Sequence, residues 1–138
     1  MRVLPNNRDM HELARVFEPF GAVDAVFLFG STVTGRVHRD SDLDLGVAGD
    51  AGELQGQRLN ILKELARHGF GRVDVVLLGA APPALAYQVV KHRRVVYCRE
   101  GVHISTMFSK IVRQYLDIRP VLEYQAKRYK ERLLHGQP

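Results

Sequence analysis

The sequence predicts an α/β protein: a mixed sheet of about four strands with helices packed on it, followed by a helical tail. Three observations carry this. Short runs of strand length, rich in β-branched residues, recur as VDAVFLF, DLDLGVA, RVDVVLL and RVVYCR. Between them lie stretches with apolar residues at helical spacing, and strands alternating with helices indicate α/β layering. After Gly101 the pattern changes to one long apolar stripe.

Taken in order, Asn6 and Asn7 can cap a first helix, in which Leu13, Val16, Phe17 and Phe20 fall at i, i+3, i+4 and i+7. Gly21 is its expected stop. Residues 23–29 form an apolar run ending at Gly30. Residues 31–37 are expected to form a short helix entered through Ser31. Residues 42–48 alternate charge with apolar side chains, the period of a strand. A helix over about 51–68 carries Leu54, Ile61, Leu62 and Leu65 on one side and stops at Gly69. Residues 72–78 are a third strand. Pro82 and Pro83 suit the first turn of a helix running to about Lys91, and residues 94–99 are a fourth strand. In the tail, Ile104, Phe108, Ile111, Tyr115, Ile118 and Leu122 recur at alternating spacings of four and three, a stripe suited to packing against another helix. Pro120 lies within it and predicts a kink or a division into two helices. Residues 1–102 are therefore read as the core. Residues 103–138 are read as a helical extension, part of the same domain or an arm for a partner.

The chain has 138 residues, enough for one domain with a real core. A single cysteine, Cys98, excludes a disulfide framework and a cysteine zinc site. No run has the length and apolarity of a bilayer span, and MRVLPNNRDM lacks a signal-peptide core. A cytoplasmic protein is the expectation. The net charge of +5 is uneven. Residues 1–102 hold 13 Lys/Arg against 12 Asp/Glu, and residues 103–138 hold 7 against 3. The basic character belongs mostly to the tail, where RNA contact is a reading that charge alone does not favour over a solvated helix face.

The chemistry is concentrated in FGSTVTGRVHRDSDLDL, residues 29–45. Residues i and i+2 of a strand face the same way, so Asp42 and Asp44 project side by side while Leu43 and Leu45 face the core. Adjacent carboxylates repel, and a divalent cation removes the conflict. Oxygen ligands select a hard ion, and Mg²⁺ is favoured where phosphates complete the shell. Asp74 is another acid inside an apolar strand. If that strand pairs beside residues 42–48, three carboxylates meet on one face, which suits a pair of ions acting at phosphorus. Gly30 allows a sharp turn and a close backbone approach to a ligand. Ser31 would open a helix whose free N–H groups bind an anion such as a triphosphate. No Walker loop or dinucleotide fingerprint is present. Arg36, Arg39 and Lys91 are candidate phosphate contacts. Arg39 stands first because it is three residues before Asp42, although a solvated arginine gives the same pattern. His38 is a weaker candidate ligand.

This stretch resembles the Gly-Ser, ten residues, Asp-x-Asp signature of the DNA polymerase β-like nucleotidyltransferases, with Asp74 matching their third acidic position. The resemblance spans residues 10 to 100 and implies the nucleotidyltransferase fold. The short chain is similar to the minimal nucleotidyltransferase (MNT) group. The tail YLDIRPVLEYQAKRYKERLL resembles that of MntA-type antitoxins, which pair with HEPN-domain RNase toxins. The resemblance implies Mg²⁺-dependent transfer of AMP from ATP to a hydroxyl, a tyrosine of the toxin in the MntA-type group. With it, Asp42, Asp44 and Asp74 are read as holding two Mg²⁺ ions and as catalytic, and Gly30 and Ser31 as gripping the nucleotide, with Arg39 added from its place three residues before Asp42. Two other readings stay open at this level. One is a small-molecule nucleotidyltransferase acting on an aminoglycoside-like acceptor. The other is a non-catalytic antitoxin that covers the toxin. Homo- or hetero-oligomerisation through the C-terminal helices is a further expectation.

Overall fold

The computed structural model describes residues 3–4, 7–30, 37–38, 42–91 and 93–136. In chain order the elements are β1 (Val3–Leu4), α1 (Asn7–Phe17), β2 (Val23–Phe29), β3 (Val37–His38), β4 (Leu43–Gly49), α2 (Ala51–Arg67), β5 (Val73–Leu77), α3 (Pro83–Lys91), β6 (Arg94–Cys98) and α4 (Ile104–Leu134). The four longer strands form one sheet in the order β5-β4-β2-β6. The β4–β5 pair is parallel, and β2 runs antiparallel to both β4 and β6. The sheet is mixed, and its strands fall where period and apolar content put them.

Helices cover both faces. Leu13, Val16 and Phe17 of α1 and Leu54, Ile61 and Leu65 of α2 pack with Val26, Leu28, Leu43, Leu45, Val47 and Val75. On the opposite face, Ala86, Val89 and Val90 of α3 and Phe108 and Ile111 of α4 pack with Ala25, Phe27 and Ala48. The Phe27 and Phe108 rings meet at 5.2 Å between centroids, and Tyr87 of α3 stacks on Tyr115 of α4 at 4.0 Å. The second face is lined by smaller residues. Gly46 has no room for a side chain, since a Cβ there would lie 2.6 Å from Val89 Cγ1. This absence lets α3 seat directly on the sheet.

Local signals set several element ends. Asp50 caps α2, its carboxylate accepting from the Glu53 N–H at 2.9 Å. Gly69, with φ +90°, takes the left-handed turn after that helix. The open edge of β5 is blocked by Arg58 of α2, whose Nη2 donates to the Val75 carbonyl at 2.7 Å.

Two expectations are corrected. Residue 37, the expected end of the helix entered through Ser31, is in a strand: Val37 and His38 form β3, paired antiparallel with β1. The rest of that expected helix, residues 31–36, lies outside the described residues. Of the two outcomes expected at Pro120, the division into two helices is not found, because α4 is one helix of 31 residues that continues through the proline. Proline removes one N–H and crowds the carbonyl four residues back. Here that residue is Leu116, 53% exposed, so water can serve the carbonyl that loses its donor. Beyond Leu122 every described residue of the chain is exposed. No helix among the described residues is long and apolar enough to cross a membrane.

Candidate active site

Asp44 is the second residue of β4, half-buried, between Leu43 at 1% exposure and Leu45 at 0%. The leucines anchor the strand against α1 and α2, and the two-residue period then turns Asp44 to the α3 side. Asp42 lies two residues earlier, just before the strand, and is exposed.

The parallel pairing of β4 with β5 brings in the third acid. Leu43 is in register with Val73, and Asp44 with Asp74. Neighbouring strands lie about 4.8 Å apart, and residues in register face the same way. Asp44 and Asp74 therefore stand side by side. The Leu43 N–H donates to the Arg72 carbonyl at 2.8 Å, which carries the ladder back one step and sets Asp42 beside Arg72. An open hollow of about 400 Å³ is lined here by Asp42, Gly71, Arg72, Val73 and Asp74.

On the other flank of Asp44 lies β2, with Phe29 as its register partner. Gly30 follows with φ +73°, and a Cβ on it would fall 2.6 Å from Asp44 Oδ2. The position requires glycine twice over: for the left-handed backbone, and because the carboxylate occupies the side-chain space. The sheet thus lays out Gly30, then Asp42 and Asp44, then Asp74 and Arg72, across three adjacent strands.

The acids sense one another. The Asp44 carboxyl is pushed above its ordinary range, first by burial, then by the charge of Asp74, then by that of Asp42. Among the described residues, no three His, Cys, Asp or Glu side chains converge closely enough to hold an ion between them. The three carboxylates share a face and a field rather than a single point, as like charges do.

The remaining candidates divide. Ser31, Arg36 and Arg39 lie outside the described residues, and so does any helix N-terminus that Ser31 would open. His38 is placed by its backbone alone, opposite Val3. Lys91 is exposed on the last turn of α3. Arg72 is the residue that sequence reasoning missed. Its signal was present, since Arg72-x-Asp74 repeats the spacing of Asp42-x-Asp44.

Residues 11–101 match the family model described as "Polymerase beta, Nucleotidyltransferase". No curated protein matches the chain significantly. Among solved structures, the chain resembles one from a toxin–antitoxin complex with AMP-PNP, at TM-score 0.70 and 19% identity over 91% of this chain and 98% of that one. It resembles another from an MntA–HepT toxin–antitoxin complex, at TM-score 0.67 and 15% identity over 94% of this chain and 99% of that one. A third comes from a complex of a tri-AMPylated Shewanella oneidensis HEPN toxin with its MNT antitoxin, at TM-score 0.67 and 19% identity over 89% and 94%. At these identities the likeness is one of fold.

Proposed function

Since this chain belongs to the polymerase β nucleotidyltransferase family, we propose that it transfers AMP from ATP to a tyrosine hydroxyl of a HEPN toxin and so acts as its antitoxin. The family match supports nucleotidyl transfer. The solved structures of like fold include complexes with AMP-PNP and with an AMPylated HEPN toxin, which supports ATP as donor and such a toxin as acceptor. The observation that carries the reading is the in-register pairing of Asp44 with Asp74, with Gly30 closed against the Asp44 carboxylate.

Magnesium fits the donor set. All three side chains offer hard carboxylate oxygens, and the Asp44 carboxyl, raised first by burial and then by the charges of Asp74 and Asp42, is one whose ionised form a cation would favour. In this reading Asp42, Asp44 and Asp74 would hold two Mg²⁺ ions. Magnesium bound there would offset the charge of the triphosphate and would lower the pKa of the acceptor hydroxyl.

The residues of the chain do the rest. Gly30 gives the phosphates an approach to bare backbone, and Ser31 and Arg39 are assigned to the same nucleotide. Asp74, on the far side of β4 from Gly30, receives the proton of the acceptor hydroxyl. The acceptor oxygen bonds to the α-phosphorus, and the bond to pyrophosphate breaks. Most of the rate enhancement comes from positioning and electrostatics. Residues 1–102 carry the chemistry in this reading, and residues 103–138 form the helical extension.

Incubation with labelled ATP, Mg²⁺ and the HEPN toxin tests the proposal. The wild-type protein labels the toxin, and the double variant Asp42→Ala/Asp44→Ala does not. Equal labelling by the double variant overturns the catalytic reading. Neutralisation of the toxin in cells by that variant would instead favour antitoxin action by binding alone.

A further inference from the structure

Resting on that reading, we propose that Arg72 is an acceptor-side catalytic residue, its guanidinium stabilising the negative charge that develops on the acceptor oxygen. The sheet order supports this. Gly30 closes one flank of Asp44 on β2, whereas Asp74 and Arg72 lie on its other flank, on or beside β5. At about 4.8 Å per strand, Gly30 and Arg72 stand two strands apart, roughly 10 Å. Phosphates gripped at Gly30 are thus separated from Arg72 by the width of the carboxylate strand. What reaches Arg72 comes from the opposite side, where Gly71, Arg72 and Asp74 are exposed at the start of the edge strand, ahead of the point at which Arg58 covers Val75.

The surroundings of Arg72 support the assignment. Its side chain is exposed and lines the same hollow as Asp42 and Asp74. Among the described residues it is the one cation lining that hollow, and it has no ion-pair partner. An arginine that served only to neutralise the acids would be expected to pair with one of them. An unpaired guanidinium beside two carboxylates has its donors free for a ligand oxygen.

The chemistry has a use for such a group alongside the metal. A tyrosine hydroxyl ionises near pH 10 and a carboxylic acid near pH 4, so a lone aspartate faces a gap of about 6 units as base. A fixed cation next to the phenol oxygen favours its ionised form. In the step proposed, the acceptor O–H proton passes to the Asp74 carboxylate while Arg72 donates to the oxygen. That oxygen bonds to the α-phosphorus, and pyrophosphate leaves with the electron pair of the broken P–O bond. No further reactant is needed.

The test compares wild type, Arg72→Gln and Arg72→Lys on two acceptors: the HEPN toxin, and the same toxin with its tyrosines replaced biosynthetically by fluorotyrosine, whose phenol is more acidic. Arg72→Gln should lower kcat toward the ordinary toxin by about 10²–10³-fold, the usual cost of losing one oxyanion donor. Its affinity for AMP-PNP by calorimetry should stay within about twofold of wild type, and Arg72→Lys should recover most of the rate. With the fluorinated toxin the gap between wild type and Arg72→Gln should narrow, because an acidified phenol depends less on the cation. An equal loss on both acceptors overturns the proposal, and so does a parallel loss of AMP-PNP affinity, which would make Arg72 a phosphate ligand. A wild-type protein that labels neither toxin overturns the transferase reading itself and this inference with it.

Discussion

On one face of β4, Leu43, Leu45 and Val47 are at most 1% exposed and lie among the side chains of α1 and α2. On the other face the same strand presents a carboxylate, no side chain and a methyl group, at Asp44, Gly46 and Ala48. The leucine face is closely packed and holds the strand in place. The aspartate face leaves room only for small residues under α3 and carries like charge at its Asp44 end, which costs stability. A strand can carry both because successive residues point to opposite sides, so what one side chain needs from the core does not constrain its neighbour. The division shows where this chain places its stability and where it accepts strain for chemistry.

Substitutions on the two faces test that division. The largest change in stability belongs to the packed face. Leu45→Ala should cost about 2–5 kcal/mol, read as a lower midpoint in urea, because it opens a cavity that α1 and α2 cannot fill. A loss under 1 kcal/mol would mean that this face is not what holds β4. Next comes Gly46→Ala, which drives a methyl to within 2.6 Å of Val89 and should cost about 1–3 kcal/mol as overpacking under α3. Gly30→Ala should cost about 1–2 kcal/mol for its left-handed backbone. It should also weaken AMP-PNP binding, because the new methyl displaces the Asp44 carboxylate.

Asp44→Asn should move in the opposite direction. The Asp44 carboxyl is raised in the folded protein by burial and by its two acidic neighbours, so the native state holds that proton to higher pH than the unfolded chain does. Stability therefore falls as pH rises from the unfolded pKa, about 4, through the folded one, and the penalty is fully present above both. Asparagine removes it. Without divalent ions, the variant should melt higher than wild type at pH 7, with the difference vanishing near pH 3, while transfer activity is lost. A lower melting temperature at pH 7 would contradict an electrostatic penalty on this face. The smallest effect is expected far from both faces. Tyr129, at 62% exposure on the solvent-surrounded part of α4, should change stability by no more than about 0.5 kcal/mol when replaced by alanine.

The strands and the acids were legible because their signals are local. The alternation in DLDLGVA placed Asp42 and Asp44 on one face before any partner strand was known, and β2 was bounded correctly by its apolar run and Gly30. Two features were not legible for want of a local signal. Strands β1 and β3 hold two residues each, too few to show a period, and they exist through pairing with each other. Helix α4 continues through Pro120 although proline usually stops or bends a helix, and nothing in the sequence reports how exposed the abandoned carbonyl will be.

The sequence by itself determined that Asp42 and Asp44 share a face, that Asp74 lies in another strand, and that a glycine ends the strand before them. Each follows from the two-residue period or from backbone freedom, which act within a few residues. Only the tertiary structure decided that β5 lies parallel to β4 with Asp74 level with Asp44, that the Asp44 carboxylate fills the space a Gly30 side chain would need, and that Arg72 stands beside Asp42. Register between strands distant in the chain comes from the simultaneous packing of two helical layers on the sheet. No local pattern encodes that sum.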